Sequence, residues 1–301
     1  MSRVMSTGQS AGSEPMLQPG TVRDIAGRYS ARISKGLRVA ANLGAYSERK
    51  KLAREFGQNG YADQRIAAEA EDLQRSGLAR LEFADPVLAT LVETCRGMVA
   101  ERADSAERTG KGFFAQLLTR QDLEAHPCFM QTALSPHVIE VLSRTYGIVP
   151  YLETIELLSS FPSGPTLNRS QLWHIDRTDN VVVKQLIYIN DVSDDEGPFT
   201  LVPPDESLKV PSFTTHYLSD EQIAAYCDMG RLVRFYGSAG ARALVDTGRC
   251  YHFGSRVRKP RHALFIYYNT GFGNYPRLGR WRGTFANKLS LSDLQRRVLD
   301  I

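Results

Sequence analysis

From Pro150 onward the chain breaks into short stretches rich in β-branched and aromatic residues: YLETIELLSSF, NVVVKQLIYINDV, PFTLVP, RLVRFYGS, ARALVDT, CYHFG and HALFIYYN. Gly, Pro, Asp and Ser separate them. Branched and aromatic side chains fit a pleated surface, and the separators favour turns over a continuing helix. Many short strands in close succession cannot form an α/β fold, so this half of the chain predicts a β-sandwich or barrel.

The first half reads differently. DQRIAAEAEDLQRSGLARL is rich in Ala, Leu, Glu and Arg, with Ile66, Ala70 and Leu73 at helical spacing. DPVLATLVETCRGMVAER sets Leu88, Leu91, Val92, Cys95 and Val99 on one helical face, with Pro86 near its start. Thr119 precedes Asp122 by three residues, a variant of the capping box. SPHVIEVLSRTYG predicts a helix from about Pro136 that stops at Gly147. Within the β half, Ser219 three residues before Gln222 predicts one helix, and another starts near Ser292. The expected organisation is a flexible tail over 1–20 and one domain over 21–301. That domain comprises a mainly helical buttress (21–149), a β core (150–275), and a basic loop with a terminal helix (276–301).

Composition excludes several classes. With 37 Lys and Arg against 33 Asp and Glu, the net charge of +4 is too mild for a nucleic-acid footprint. No apolar run reaches membrane-spanning length, and the polar N-terminus has no signal-peptide core. Cys95, Cys128, Cys227 and Cys250 are widely spaced and form no C-x-x-C pair, which fits a reducing cytoplasm.

The stretch QLWHIDRTDN carries the chemistry. Residues i and i+2 of a strand share a face, so His174 and Asp176 project together. An imidazole and a carboxylate are two members of a 2-His-1-carboxylate facial triad, which leaves coordination positions open on a metal. A lone His-x-Asp means little, but His252 lies on a later strand-like segment and Arg261 follows it. With His252 as third ligand, a 2-oxo acid can chelate the metal while the planar guanidinium of Arg261 grips its far carboxylate. His216, His126, His137 and His262 are assigned structural roles, and Cys250 that of a buried thiol.

At these residues the chain resembles a known family. WHIDRTDNVVVKQLIYINDVSDDEGPFTLVP and GARALVDTGRCYHFGSRVRKPRHALFIYYNTG are similar to the metal-site segments of phytanoyl-CoA dioxygenase-like proteins, and the resemblance runs from Leu152 to Thr270. It implies an α+β fold with a double-stranded β-helix (jelly-roll, cupin-like) core buttressed by helices. It also implies Fe(II), with 2-oxoglutarate and dioxygen as co-substrates. His174, Asp176 and His252 match the iron ligands, and Arg261 matches the 2-oxoglutarate anchor. Two departures stand out. VPPDES replaces the family's frequent Pro-Gly-Ser-His turn, and the interval from His252 to Arg261 is about two residues short, which keeps Arg258 and Arg256 as alternative anchors.

Lys184 and Gln185 are neighbours on one strand, so one of the two faces the cavity and is placed to touch 2-oxoglutarate. Trp173 alternates away from the ligands and is expected to pack. Asn168 and Gln171 are read as a polar loop, with pocket lining as the alternative. The basic segment around Tyr275, Arg277, Arg280, Trp281 and Arg282 is read as a solvated loop with snorkelling arginines, the alternative being a cover over the mouth or a contact for an anionic substrate. The expected activity is hydroxylation of an unactivated C–H bond of a small molecule of the secondary-metabolite kind, with release of succinate and CO2. The rival expectations are a cupin-like metal enzyme without 2-oxoglutarate and a catalytically silent binding module.

Overall fold

In the computed structural model the described residues are 43–58, 63–108, 112–167, 169–211, 216–271, 281 and 289–301. The expected tail, Asn168, and Tyr275, Arg277, Arg280 and Arg282 lie outside them. The first half supplies helices α1 (Leu43–Gln58), α2 (Gln64–Ser76), α3 (Leu88–Arg102), α4 (Arg120–Ala125), α5 (Cys128–Ala133) and α6 (Pro136–Tyr146). The expected punctuation is present. Thr119 and Asp122 form a reciprocal capping box, Pro136 opens α6, and Gly147 closes it in the left-handed region at φ 64°. Two short strands also occur in this half, β1 (Leu78–Arg80) and β2 (Phe114–Gln116). Each has three residues, too short to show a period of two, so a sequence reading of this half as helical passes over them.

The second half contributes β3 (Tyr151–Ser160), β4 (Val182–Tyr188), β5 (Phe199–Leu201), α7 (Pro204–Ser207), α8 (Asp220–Ala224), β6 (Val233–Phe235), β7 (Arg242–Asp246), β8 (His252–Phe253), β9 (Arg261–Asn269) and α9 (Asp293–Leu299). All pairings are antiparallel. The major sheet runs β1-β7-β4-β9-β3-β2 and the minor sheet β6-β5-β8. Two antiparallel sheets packed face to face form the double-stranded β-helix.

Pleat parity explains the layers. Val183 and Ile187 of β4, Leu264, Ile266 and Tyr268 of β9, and Ile155 and Leu157 of β3 face outward and pack with Leu73, Leu91, Phe129, Ile139 and Leu142 of the helices. The alternate residues Leu186, Tyr188, Ala243, Val245, Ala263 and Phe265 face inward and meet Phe199, Leu201 and Phe235 of the minor sheet. A third apolar group, with Trp173, Leu218, Ile223 and Tyr251, covers the minor sheet from outside. The central strands of the major sheet are thus apolar on both faces and need cover on both. Among the described residues no helix is long and apolar enough to cross a membrane.

Residues 43–147 therefore supply a covering layer, and through β1 and β2 they also supply both edges of the major sheet. A fragment spanning 150–301 should lack a sharp cooperative urea transition and near-ultraviolet ellipticity. Cooperative unfolding by that fragment with metal bound would show that the two halves are separate domains.

Candidate metal centre and its cleft

The turn between β7 and β8 and the loop before β4 build the centre. His174 and His252 face each other across an antiparallel bridge, each amide donating to the other's carbonyl at 3.0 Å. Directly opposed residues of such a pair put their side chains on one face, and the two rings lie 4.3 Å apart, centroid to centroid. The expectation of a regular strand through Asp176 is corrected. Only Trp173 and His174 make bridges, and beyond them the Asp176 amide hooks onto the Thr247 carbonyl at 2.9 Å. That single bond is enough to bring its carboxylate beneath the two rings.

The Nδ1 atoms of His174 and His252 lie 2.9 and 3.0 Å from the carbonyls of Leu172 and Cys250. A carbonyl only accepts, so Nδ1 carries the proton and each Nε2 presents a lone pair to the centre. His174 Nε2 is 3.8 Å from Asp176 Oδ1, and His252 Nε2 is 3.8 Å from Asp176 Oδ2. One donor atom from each of the three residues lies within 4.8 Å of the others. Burial holds both imidazoles below their ordinary pKa, His252 down to about 3 with His174 adding to the effect. Burial, the largest single effect, would raise the Asp176 pKa, but Lys184 together with His252 and His174 outweighs it and keeps the carboxyl below the usual range. Lys184 Nζ forms an ion pair with Oδ2 at 2.7 Å. Two neutral imidazoles with inward lone pairs and an ionised carboxylate form a donor set suited to a divalent cation.

Asp246, fully buried, organises the turn that carries these groups. It accepts from the Tyr146 hydroxyl of α6, the Arg249 amide at 2.9 Å and the Arg249 guanidinium. Its own amide donates to Gly77 O at 2.9 Å. Thr247 and Gly248 then hold Val182 O at 3.1 and 3.0 Å, fixing the start of β4. Nothing in sequence spacing marks Tyr146 or Asp246 as partners.

A cleft of about 250 Å³ runs from the triad along the inner face of β9 and β3. Arg261 lines it and is 2% exposed. Its Nη1 donates to Gly197 O, and its Nε has no partner. Burial lowers its pKa. Gly197 sits at φ 66° where an added Cβ would come within 2.4 Å of Arg256 O, so the glycine of the acidic-Gly-Pro turn is required there. Ser160 and Ser255, hydrogen-bonded to each other at 3.0 Å, line the same end.

The alternative anchors point elsewhere. Arg256 is held by Gln171 O at 2.6 Å and by Asp220 at 2.9 and 3.0 Å, over the Phe253 ring. Exposed Arg258 pairs with Asp195 at 2.7 Å. Lys184 lines the cleft, whereas Gln185 is turned to the helical layer, fully buried, with Tyr268 Oη 3.3 Å from its Oε1. The reading of Gln185 as a cofactor contact is corrected, because adjacent residues of a strand face opposite ways. Trp173 packs away from the ligands, donating to Asp220 at 2.6 Å. His216, assigned to a loop, has its ring 6.4 Å from that of His174. Glu153, Thr154, Glu156 and Tyr267 also line the cleft and were not singled out from sequence, although the period of two along LETIELL marks Glu156 as a polar residue on the inner face.

No protein-family model matches the sequence, and no curated protein matches it. Solved structures do. The epimerase SnoN in complex with Fe3+, α-ketoglutarate and nogalamycin RO aligns with TM-score 0.50 and 16% identity over 68% of this chain and 84% of its own. EctD from S. alaskensis with 2-oxoglutarate and 5-hydroxyectoine aligns with TM-score 0.51 and 18% identity, over 73% of this chain and 85% of its own. At these identities the likeness establishes a shared fold.

The buried imidazoles make stability depend on pH. The unfolded chain protonates His252 near its ordinary 6.5, the folded chain only near 3. Across that window the unfolded state binds more protons, so stability is complete above about 6.5 and falls as pH drops toward 3. Urea denaturation of metal-free protein should show a loss of roughly 1 kcal/mol per pH unit for such a group. His252→Gln should flatten the slope, and a flat wild-type profile between pH 6 and 4.5 would contradict the burial assigned here.

Proposed function

We propose that this chain is a non-haem Fe(II)- and 2-oxoglutarate-dependent oxygenase of the phytanoyl-CoA dioxygenase-like kind, hydroxylating an unactivated C–H bond of a small molecule. The observation that carries the proposal is the pairing, in one cleft, of the His174–Asp176–His252 donor set with a buried arginine that has no counter-anion among the described residues. A buried cation without a partner is strongly disfavoured. Its nearest polar contact is the neutral carbonyl of Gly197. A dicarboxylate that chelates the metal at one end brings the missing anion at the other. A cupin-like site without an oxo acid has no use for Arg261. The four buried free thiols suit a reducing compartment.

His174, Asp176 and His252 are the proposed iron ligands. Iron with 2-oxoglutarate and dioxygen supplies the oxidation, in which 2-oxoglutarate ends as succinate and CO2 and the substrate gains a hydroxyl. The chain's residues prepare that chemistry. The Leu172 and Cys250 carbonyls hold the imidazoles in the tautomer that donates a lone pair. Asp176 is paired with Lys184, which lines the same cleft and would be placed to touch 2-oxoglutarate. Arg261 orients the far carboxylate through a bidentate fork. Phe199, Leu158 and Phe265 line the path and exclude water.

His174→Ala, Asp176→Ala and His252→Ala should each lose most bound iron, measured by metal analysis after dialysis, while far-ultraviolet spectra stay native. Retained stoichiometry in one variant would remove that residue from the ligand set. Arg261→Ala should keep iron but weaken 2-oxoglutarate by tens- to thousands-fold, roughly the cost of truncating one partner of a buried charge pair. Arg261→Lys should fall between. Anaerobic titration of the visible chelate band reads both, and unchanged affinity in Arg261→Ala would favour the reading without 2-oxoglutarate.

A further inference from the structure

The end of the cleft opposite Arg261 has a different charge. Pleat parity lines up Lys184 of β4, Tyr267 of β9 and Thr154 of β3 in one row across the sheet. Glu156 follows two residues along β3, opposite Phe265, and projects into the same cleft. Its Oε2 accepts from Tyr267 Oη at 2.8 Å. The phenol keeps its proton, its pKa pushed up by burial and by the Glu156 charge. A neutral donor satisfies one lone pair but leaves the negative charge in place.

Among the described residues the cations nearby are engaged. Lys184 Nζ lies on Asp176 Oδ2 at 2.7 Å and above the Tyr267 ring at 4.8 Å. Arg120, in a smaller adjoining pocket that shares Thr154 and Glu156, turns to Glu124 at 3.4 Å. Arg261 pairs in register with Ser160, four residues further along β3, roughly 13 Å away at strand rise. Glu153 adds a second carboxylate at this end, accepting from Asn269 Nδ2 at 2.8 Å. Among the described lining residues the cations are Lys184 and Arg261, and both are turned to partners other than Glu156. The partnerless Nε of buried Arg261 marks this cavity as built to receive a ligand.

Resting on the oxygenase reading, we infer that the substrate carries a cationic nitrogen, a protonated amine or guanidine, which Glu156 binds. A carboxylate in a cleft whose inner wall includes Leu158, Phe199 and Phe265 gains most from a partner that brings both charge and N–H donors. Tyr267 holds one oxygen and so presents the other toward the cleft. The cation binds two strand spacings from Lys184, roughly 10 Å across the sheet, so the carbon to be oxidised lies several bonds from the nitrogen.

The test uses full-length protein loaded with Fe(II) and 2-oxoglutarate under anaerobic conditions. The chelate band first reports whether both bind, which decides the oxygenase reading independently. Calorimetry then measures a panel of primary amines and guanidines, each against its neutral alcohol or urea isostere, with loaded and metal-free protein. Cations should bind more tightly than their isosteres. Glu156→Gln should reduce that preference ten- to a hundredfold, roughly the worth of a charge-assisted hydrogen bond, with iron and 2-oxoglutarate affinities unchanged. Glu156→Asp should retain it. Equal binding of neutral isosteres, a preference that survives Glu156→Gln, or binding by no cation of the panel would overturn the inference, whether or not the chelate band forms.

Discussion

Two backbone hydrogen bonds between His174 and His252 hold the site together. They join the loop before β4 to β8, so the segment that carries two of the three donor groups becomes an extension of the minor sheet. The same exchange sets the two imidazoles beside each other, 4.3 Å apart and tilted by 47°. Because opposed residues of an antiparallel pair must share a face, ring separation follows from sheet geometry. The remaining freedom, rotation of each ring, is taken up by the Nδ1 contacts to Leu172 and Cys250. The donor set is therefore preorganised, and a metal that binds need not meet the full cost of ordering it.

That bridge is supported from behind by charge. Asp246 gathers Tyr146 from the helical layer and Arg249 from its own turn, and the turn offers Thr247 O to Asp176. Helices, turn and metal centre are thus continuous in hydrogen bonds. The N-terminal half does more than cover an apolar face. It also supplies a buried hydroxyl and two edge strands that close the major sheet.

Within the cleft, charges are separated rather than paired off. Arg261 lies at one end beside Gly197 and two serines, Glu156 lies at the other, and Lys184 is bound to Asp176 between them. Buried or half-buried charges left without protein partners are costly in an isolated fold. Their cost is offset when a ligand of opposite charge arrives, which makes such positions markers of binding more than of stability.

Local physics made much of this legible in one dimension. Turn chemistry and β-branched runs located the seven strands after Pro150, and capping residues located α4, α8 and α9. His174, Asp176, His252 and Arg261 stood out because their residue types and order are demanding. What stayed hidden depended on partners far away in sequence. β1 and β2 have too few residues to show a period, and they exist because β7 and β3 offer open edges. The choice between Lys184 and Gln185 required knowing which face of β4 meets the helices, a fact held by residues far away in sequence. Glu156 was visible as a polar residue on an alternating strand, yet its lack of a cation appears only once Lys184 has been claimed by Asp176. Sequence alone determined the elements and the donor types, since propensity, capping and ligand chemistry are local. Tertiary structure decided which side chains share the cleft, which charges remain unanswered there and how the donors are aimed, since these follow from sheet register and burial.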